Sequence, residues 1–225
     1  MTRWSAIVPI RSLQEGKSRL AGFADQAAVT EAFARDVLAA CASCPQIEST
    51  IVVSADPAVL ELAGDVGARP HHQKPPAGIN EAIAQVRADL PATTAVVAIL
   101  GDTPCLTGEV LTAVLTAAQT HEVSFVSDTA GTGTTIWCSR TSDAVPHFGA
   151  HSRAHHRAAG ADELGGLDAG AVWNRARRDV DTDIDLWDAG RLGVGPATSR
   201  LLAHDEHRGS PRRAIPDVQS TNGER

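Results

Sequence analysis

The sequence predicts an α/β protein built on a mostly parallel, doubly wound sheet of Rossmann-like type, with helices on both faces. Three observations carry that expectation. Short runs rich in Val and Ile alternate with segments of helical periodicity as far as Ser127. One of these runs, Ala95 to Leu100, is apolar at every position, as a strand is when helices cover both of its faces. The helical segments show single apolar stripes, the mark of helices laid on a sheet.

Taken in order, Ser5 to Ile10 is the first expected strand. Val29, Phe33, Val37 and Cys41 then recur every fourth residue and predict a helix. Thr50 to Val53 and Thr94 to Leu100 are the next strands, and Val110, Leu111, Val114, Leu115 and Ala118 form the stripe of a second helix. Val123 to Val126 reads as another strand. After Ser127 the rhythm gives way to Gly- and His-rich segments, Gly131 to Thr135 and Phe148 to Gly160. Antiparallel strands and loops are expected there, carrying the structure specific to the substrate. From His204 onward Pro, Gly and charge occur without periodicity, so the expected organisation is one domain over 1–203 and a flexible tail over 204–225. No internal repeat is present.

At 225 residues, 43% hydrophobic and 21% charged, the chain is long enough to bury one sizeable core. A formal net charge of −7 argues against a general nucleic-acid or membrane-surface binder, because neutralising phosphates needs a basic face. No run approaches the roughly 20 apolar residues of a membrane span. The N-terminus MTRWSAIVPI lacks a long apolar stretch, so a cytoplasmic protein is expected. Of Cys41, Cys44, Cys105 and Cys138 only the first two form a C-x-x-C pair, just before Pro45. Zinc would want a second pair or histidines at ligand spacing, so free thiols packed at a helix end are expected.

Four segments carry chemistry. The first strand runs into VPIRSLQEGKSRLAG, a loop holding Arg11, Ser12, Lys17 and Arg19. The first β-to-α turn of such a sheet is where ligands bind and helix N-termini favour anions. Lys17 and Arg19 are therefore either phosphate contacts or solvated charge. Gly16-Lys17-Ser18 imitates the end of a P-loop, but the first glycine of that motif would fall at Arg11. In AVVAILGDTPCL a buried strand ends in Gly101 and sets Asp102 just beyond its carboxyl edge. There a carboxylate either holds Mg²⁺ against nucleotide phosphates or caps the next turn.

In RRDVDTDIDLWDA, Asp179 and Asp181 alternate along an expected strand while Asp183 and Asp185 enter a helix. Metal binding and helix capping both suit that cluster. Gly131 to Thr135 is a Gly- and hydroxyl-rich run that is either an anion cradle or an ordinary turn. Among His147, His151, His155 and His156, the four-residue spacing of His151 and His155 lacks the acidic third ligand of H-E-x-x-H.

In the same order, VPIRSLQEGKSRLAG, GINEAI (Gly78 to Ile83), LGDTPCL, GTGTT, FGAHSRAHHRAAG and DVDTDIDL resemble a known enzyme family. It is the 2-phospho-L-lactate or phosphoenolpyruvate guanylyltransferase family of deazaflavin coenzyme F-420 biosynthesis. The resemblance spans Ile7 to Leu186, and F-G-x-x-S-x-x-x-H at Phe148 to His156 is its most specific piece. Thr103 stands where the family often has Leu, and Ala150-His151 replaces a common Pro-containing pair. The resemblance implies a GT-A-type nucleotidyltransferase fold that uses GTP and Mg²⁺, guanylylates the acid and releases pyrophosphate. It implies that Thr134, Gly149, Ser152 and His156 bind the acid. The metals fall to Asp102 and Asp181, and the GTP phosphates to Lys17 and its loop, Arg11 and Ser12 included. Lys17 or Arg19 offsets the charge growing on pyrophosphate, and Ser54, Lys74, Gly78 and Asn80 are matched to the nucleoside pocket.

The two acids share every charged group, so the residues do not separate them; an Ala- and Arg-rich composition, typical of GC-rich genomes, favours phosphoenolpyruvate within the family. Two competing readings are a molybdopterin or sugar-phosphate nucleotidyltransferase and a non-catalytic nucleotide-binding regulator. A homodimer is the assembly kept in view.

Overall fold

The computed structural model describes residues 2–13, 20, 25–75, 77–166 and 170–207. Its strands are β1 (Trp4–Pro9), β2 (Ile47–Ser54), β3 (Arg69–His72), β4 (Ala95–Ile99), β5 (Val123–Ser127), β6 (Thr134–Ser139) and β7 (Asp162–Glu163). The helices are α1 (Gln26–Ser43), α2 (Pro57–Asp65), α3 (Ile79–Ala88), α4 (Gly108–Ala118), α5 (Ser152–Ala158), α6 (Ala171–Ala176), α7 (Asp183–Leu192) and α8 (Pro196–His207).

The strands form one sheet in the order β3-β2-β1-β4-β6-β5-β7. β1 pairs in parallel with β2 and β4, and β2 with β3. β6 is antiparallel to both β4 and β5, and β7 is parallel to β5, so β6 alone runs against the rest. The four strands expected from apolar runs are all present, and the expected antiparallel structure after Ser127 is β6. β3, with sequence RPHH, and the two-residue β7 have no apolar pattern to announce them; they are the edges of the sheet.

Alternation along β1 shows why helices lie on both faces. Ala6 and Val8 pack into one cluster with Val37, Cys41, Val59, Leu111 and Val114 of α1, α2 and α4. Ile7, between them, joins the opposite cluster with Ile83 and Val86 of α3, Phe125, Trp137 and Phe148. A third cluster joins Val29 and Phe33 of α1 to Cys105, Val180, Leu186 and Ala189, and so fixes the start of α7 against the sheet. The four cysteines are free and buried, as expected.

Helix starts follow local chemistry. Asp25, Asp56 and Thr107 cap α1, α2 and α4 through their side chains, and Thr182 with Asp185 forms a capping box on α7. The expected strand through Asp179 and Asp181 is not formed; the chain there is irregular. Its Val180 N–H finds no strand partner and donates instead to the Asp102 carbonyl, at 3.0 Å.

The start of α8 is capped from a distance. Asp36 of α1 is only 3% exposed, and its two oxygens accept from the N–H groups of Ala197 and Thr198 at 2.8 and 2.9 Å. Gly195 permits this approach, because a Cβ there would lie 2.3 Å from the Asp36 carboxyl carbon. The boundary expected at His204 falls inside α8, which runs to His207, and 208–225 lie outside the described residues. No helix among the described residues is long and apolar enough to cross a membrane.

Candidate active site

A cavity of about 880 Å³ opens at the carboxyl ends of β1, β2 and β4. In a sheet ordered β3-β2-β1-β4, the strand order reverses between β1 and β4, and that crevice is where open α/β sheets bind ligands. Arg11 and Ser12 line it after β1, Asp56 after β2, Gln73 after β3, Gly78 and Ile79 at the start of α3, and Gly101 and Asp102 after β4. Asp181 completes the wall. The Val180-to-Asp102 backbone hydrogen bond brings this late segment to the β4 edge, so the two predicted metal carboxylates share one cavity.

Negative charge is concentrated at this edge. Asp179 is pushed up to about 7 by burial and then by the carboxylates of Asp102, Asp128 and Asp181. Sequence reasoning noted Asp179 but chose Asp181; the structure sets both near Asp102. Among the described residues no three His, Cys, Asp or Glu side chains form a ready-made metal cage. The available donors are carboxylate oxygens.

The predicted nucleotide residues divide into cavity wall and support. Arg11, Ser12 and Gly78 are on the wall. Ser54 is buried behind it: its hydroxyl donates to the Arg11 carbonyl at 3.3 Å and accepts from Asp56 N–H at 3.0 Å. Lys74 is exposed and off the wall, and its N–H donates to Gln85 Oε1 at 3.1 Å. Asn80 is also off the wall, engaged with the backbone of Phe148. Lys17 and Arg19 lie outside the described residues.

Three polar wall residues escaped sequence reasoning: Thr30, Asp56 and Gln73. Asp56 accepts from Ser12 Oγ at 2.9 Å, Leu13 N–H at 3.2 Å and Ala58 N–H at 3.0 Å, so it holds the first loop while capping α2. Burial raises its pKa, but those three hydrogen bonds together hold the carboxyl below its ordinary value. Asp56-Pro57 is a helix-start signature legible in the sequence. Gln73 follows an edge strand without pattern and left no signal.

The predicted acid-binding residues lie together on β6, α5 and the turn before it. Thr134 Oγ1 is 3.0 Å from His156 Nδ1, and both residues are buried. His147 N–H donates to His156 Nε2 at 2.9 Å. A backbone N–H can only donate, so Nε2 is the bare nitrogen and the proton sits on Nδ1, donating to Thr134 Oγ1. Thr134 is thereby left its own O–H to donate. Burial, then the neighbouring His147, push His156 down to about 4, which keeps the ring neutral.

Gly149 has φ +123 and His151 has φ 57, a tight turn that only glycine adopts freely at the first position. Ser152 N–H closes it on the Gly149 carbonyl at 3.1 Å.

The Gly131 to Thr135 run does not present its amides to a ligand as an anion cradle would. Thr132 and Gly133 N–H donate to the Asp128 carboxylate at 2.9 and 2.8 Å. The run is tied to α5 by Arg153, whose Nη1 donates to the Gly131 carbonyl at 2.9 Å and whose Nε donates to Glu163 at 3.0 and 3.1 Å. Glu163, its side chain only 7% exposed, also accepts from Ser127 Oγ at 2.7 Å and Arg157 Nη2 at 2.5 Å, with Arg177 at 3.8 Å. Burial raises its pKa, and the hydrogen bonds from Ser127 and Arg153 with the charges of Arg153 and Arg157 bring it below the usual range.

Comparison with known proteins places this geometry. The family model of the MobA-like NTP transferase domain matches residues 24–166. The chain is 39% identical to the phosphoenolpyruvate guanylyltransferase of Streptomyces coelicolor over 209 residues, 89% of this chain and 96% of that one. It is 37% identical to the enzyme of the same name from Mycobacterium ulcerans, over 88% of this chain and 93% of that one. A nucleotidyl transferase of Methanothermobacter thermautotroptrophicus superposes with a TM-score of 0.57 at 12% identity, covering 92% of this chain and all of that one (100%). A protein described as a nucleotide-diphospho-sugar transferase from Desulfovibrio desulfuricans G20 gives 0.62 at 16% identity, covering 92% and 96%. These two likenesses show the fold, which is the GT-A-like type that the sequence resemblance implies.

Proposed function

We propose that this chain, which belongs to the phosphoenolpyruvate guanylyltransferase family and carries a MobA-like NTP transferase domain, transfers GMP from GTP to phosphoenolpyruvate and releases pyrophosphate. The product would feed deazaflavin coenzyme F-420 biosynthesis, as the sequence resemblance implies, and small charged substrates suit a cytoplasmic setting. The observation that carries this reading is the Val180-to-Asp102 hydrogen bond, which sets Asp181 beside Asp102 on the wall of a nucleotide-sized cavity.

The reaction asks for alignment and charge neutralisation rather than proton transfer. A phosphate oxygen of the acid, ionised at neutral pH, forms a bond to the α-phosphorus of GTP as the bond to the pyrophosphate oxygen breaks. No general base is needed, in keeping with a His156 whose bare nitrogen is taken by the His147 N–H. Arg11 and the N–H groups at the start of α3 face GTP phosphates on the cavity wall. Lys17 and Arg19, further along the loop after β1, are assigned the charge on the leaving pyrophosphate. Thr134 O–H, the Gly149 turn and Ser152 are assigned the carboxylate of the acid.

The donor set fits a hard divalent cation: Asp102 and Asp181 supply carboxylates to one cavity, and burial with nearby like charge raises Asp179. We assign Mg²⁺ to Asp102 and Asp181, since that ion takes one or two protein carboxylates beside substrate phosphates. When bound, it would neutralise phosphate charge and polarise the α-phosphorus.

Pyrophosphate release from GTP with phosphoenolpyruvate, 2-phospho-L-lactate and a sugar phosphate supplied singly tests the reading. Release dependent on Mg²⁺ and greatest with phosphoenolpyruvate is expected. Equal release without any acid, or preference for the sugar phosphate, overturns it.

A further inference from the structure

We infer that Asn80 is a positioning residue for the acid rather than a nucleoside contact, holding the Gly149 turn in register with the nucleotide cavity. The inference rests on the reaction proposed above. Asn80 stands in the first turn of α3, beside Gly78 and Ile79 and two residues before Ala82, all of which line the cavity. Its carboxamide points the other way. Oδ1 accepts from Phe148 N–H at 2.8 Å, and Nδ2 donates to the Phe148 carbonyl at 3.0 Å. One side chain thus satisfies both backbone groups of a residue 68 positions away, as a neighbouring strand would.

Phe148 immediately precedes Gly149. The residue before it, His147, gives its N–H to His156 Nε2. Three of the backbone polar groups of His147 and Phe148 are therefore held by side chains, Asn80 from the nucleotide side and His156 from the acid side. The Phe148 ring packs in the same cluster as Ile83 and Val86, so α3 and the turn also share apolar contacts. α3 meets both the cavity and this turn directly.

The chemistry makes that register matter. In-line transfer needs the acid's phosphate within contact distance of the α-phosphorus, and a misplacement of about 1 Å costs on the order of a hundredfold in rate. Losing the Asn80 bonds leaves the backbone before the Gly149 turn hydrogen-bonded by a side chain only from the His156 side, with apolar packing alone on the α3 side. The acid then binds a displaced or mobile pocket, while GTP still meets an unchanged wall.

Asn80→Asp isolates the interaction, since it preserves size and the acceptor for Phe148 N–H but turns an oxygen toward the Phe148 carbonyl. Asn80→Ala is the second variant, in case the added charge impairs folding. For each, the KM of phosphoenolpyruvate and kcat are measured beside GTP affinity by calorimetry with Mg²⁺ and without acid. The expected result is a rise of roughly tenfold or more in the phosphoenolpyruvate KM together with a fall in kcat, with GTP affinity within about twofold of wild type. A parallel loss of GTP affinity would show a nucleoside contact and overturn the inference. So would an unchanged phosphoenolpyruvate KM in both variants. Absence of phosphoenolpyruvate-dependent turnover in the wild type overturns the proposed reaction and this inference together, whereas normal wild-type turnover with insensitive variants overturns this inference alone.

Discussion

The two walls of the site are built by different physics. The nucleotide wall is an outcome of sheet periodicity: β1, β2 and β4 are apolar, parallel and paired in register, and their carboxyl ends deliver Arg11, Asp56 and Asp102 to one edge. The wall proposed for the acid, from Ser127 to Gly160, is held by side chains gripping backbone. Asp128 takes two amides, His156 one, Asn80 an amide and a carbonyl, and Arg153 a carbonyl. A wall made by periodicity keeps its strand ends in place when one polar residue changes, even though Asp56 and Ser54 tether the loop after β1. A wall made by side-chain bonds is specified residue by residue, so each substitution there should register in acid recognition or stability.

The sharpest way to strain this contrast is Asp102→Asn. The charge at the β4 edge disappears while the wall keeps its shape, so kcat should fall on the order of a thousandfold with thermal stability and GTP-site folding retained. Steady-state kinetics beside a thermal melt checks it; near-normal turnover at saturating Mg²⁺ would make Asp102 only a turn residue. Glu163→Gln attacks the other wall. It removes the carboxylate that balances Arg153, Arg157 and Arg177, and stranding those partly buried guanidiniums should cost about 3 kcal/mol in urea unfolding. Because the folded Glu163 pKa is depressed, the stability it contributes is present above the ordinary glutamate range and lost as pH falls through it. A variant as stable as wild type at pH 7 would show the network to be inert.

At neutral pH the smallest effect is that of His156, which grows only on acidification. Its folded pKa of about 4 lies below the ordinary 6.5, so as pH falls between those values the unfolded chain takes up a proton that the folded one refuses. Stability should decline across that window by up to about 1.4 kcal/mol per pH unit from this group, and His156→Gln should lose that part of the slope. Identical slopes for the two proteins would mean that the ring is protonated in the folded state.

The same contrast decides what the sequence makes legible. β1, β2, β4 and β5 announce themselves because burial on both faces demands unbroken or alternating apolar residues, and Asp102 could be placed because it ends such a run. Asp181 is paired with Asp102 through family resemblance and lines the same cavity, but its expected strand did not form: Val180 N–H is satisfied by one carbonyl 78 residues earlier, and the stripe of Leu186 and Ala189 does the anchoring. Ser54 and Asn80 resemble ligand residues in sequence because the types that hold backbone are those that hold substrates. Only the position of their partners, Arg11, Asp56 and Phe148, tells the roles apart, and separations of up to 68 residues carry no local signal. Edge strands such as RPHH pack too little apolar surface to need a pattern.

The clasp between Asp36 and the start of α8 sets a clock on synthesis. Asp36 lies in α1, yet the amides that satisfy its carboxylate belong to residues 197 and 198. At about 5 to 20 residues per second, translation needs roughly 10 to 30 s to reach them, and throughout that interval α1 carries a carboxylate that cannot be sealed away. The nascent sheet can pair β1 with β2 early, but the face of α1 toward Asp36 must stay hydrated until α8 arrives. Docking of α8 is therefore the late step that dries the helix layer, and a slow codon stretch before residue 196 would lengthen the exposure of α1 without altering the finished protein.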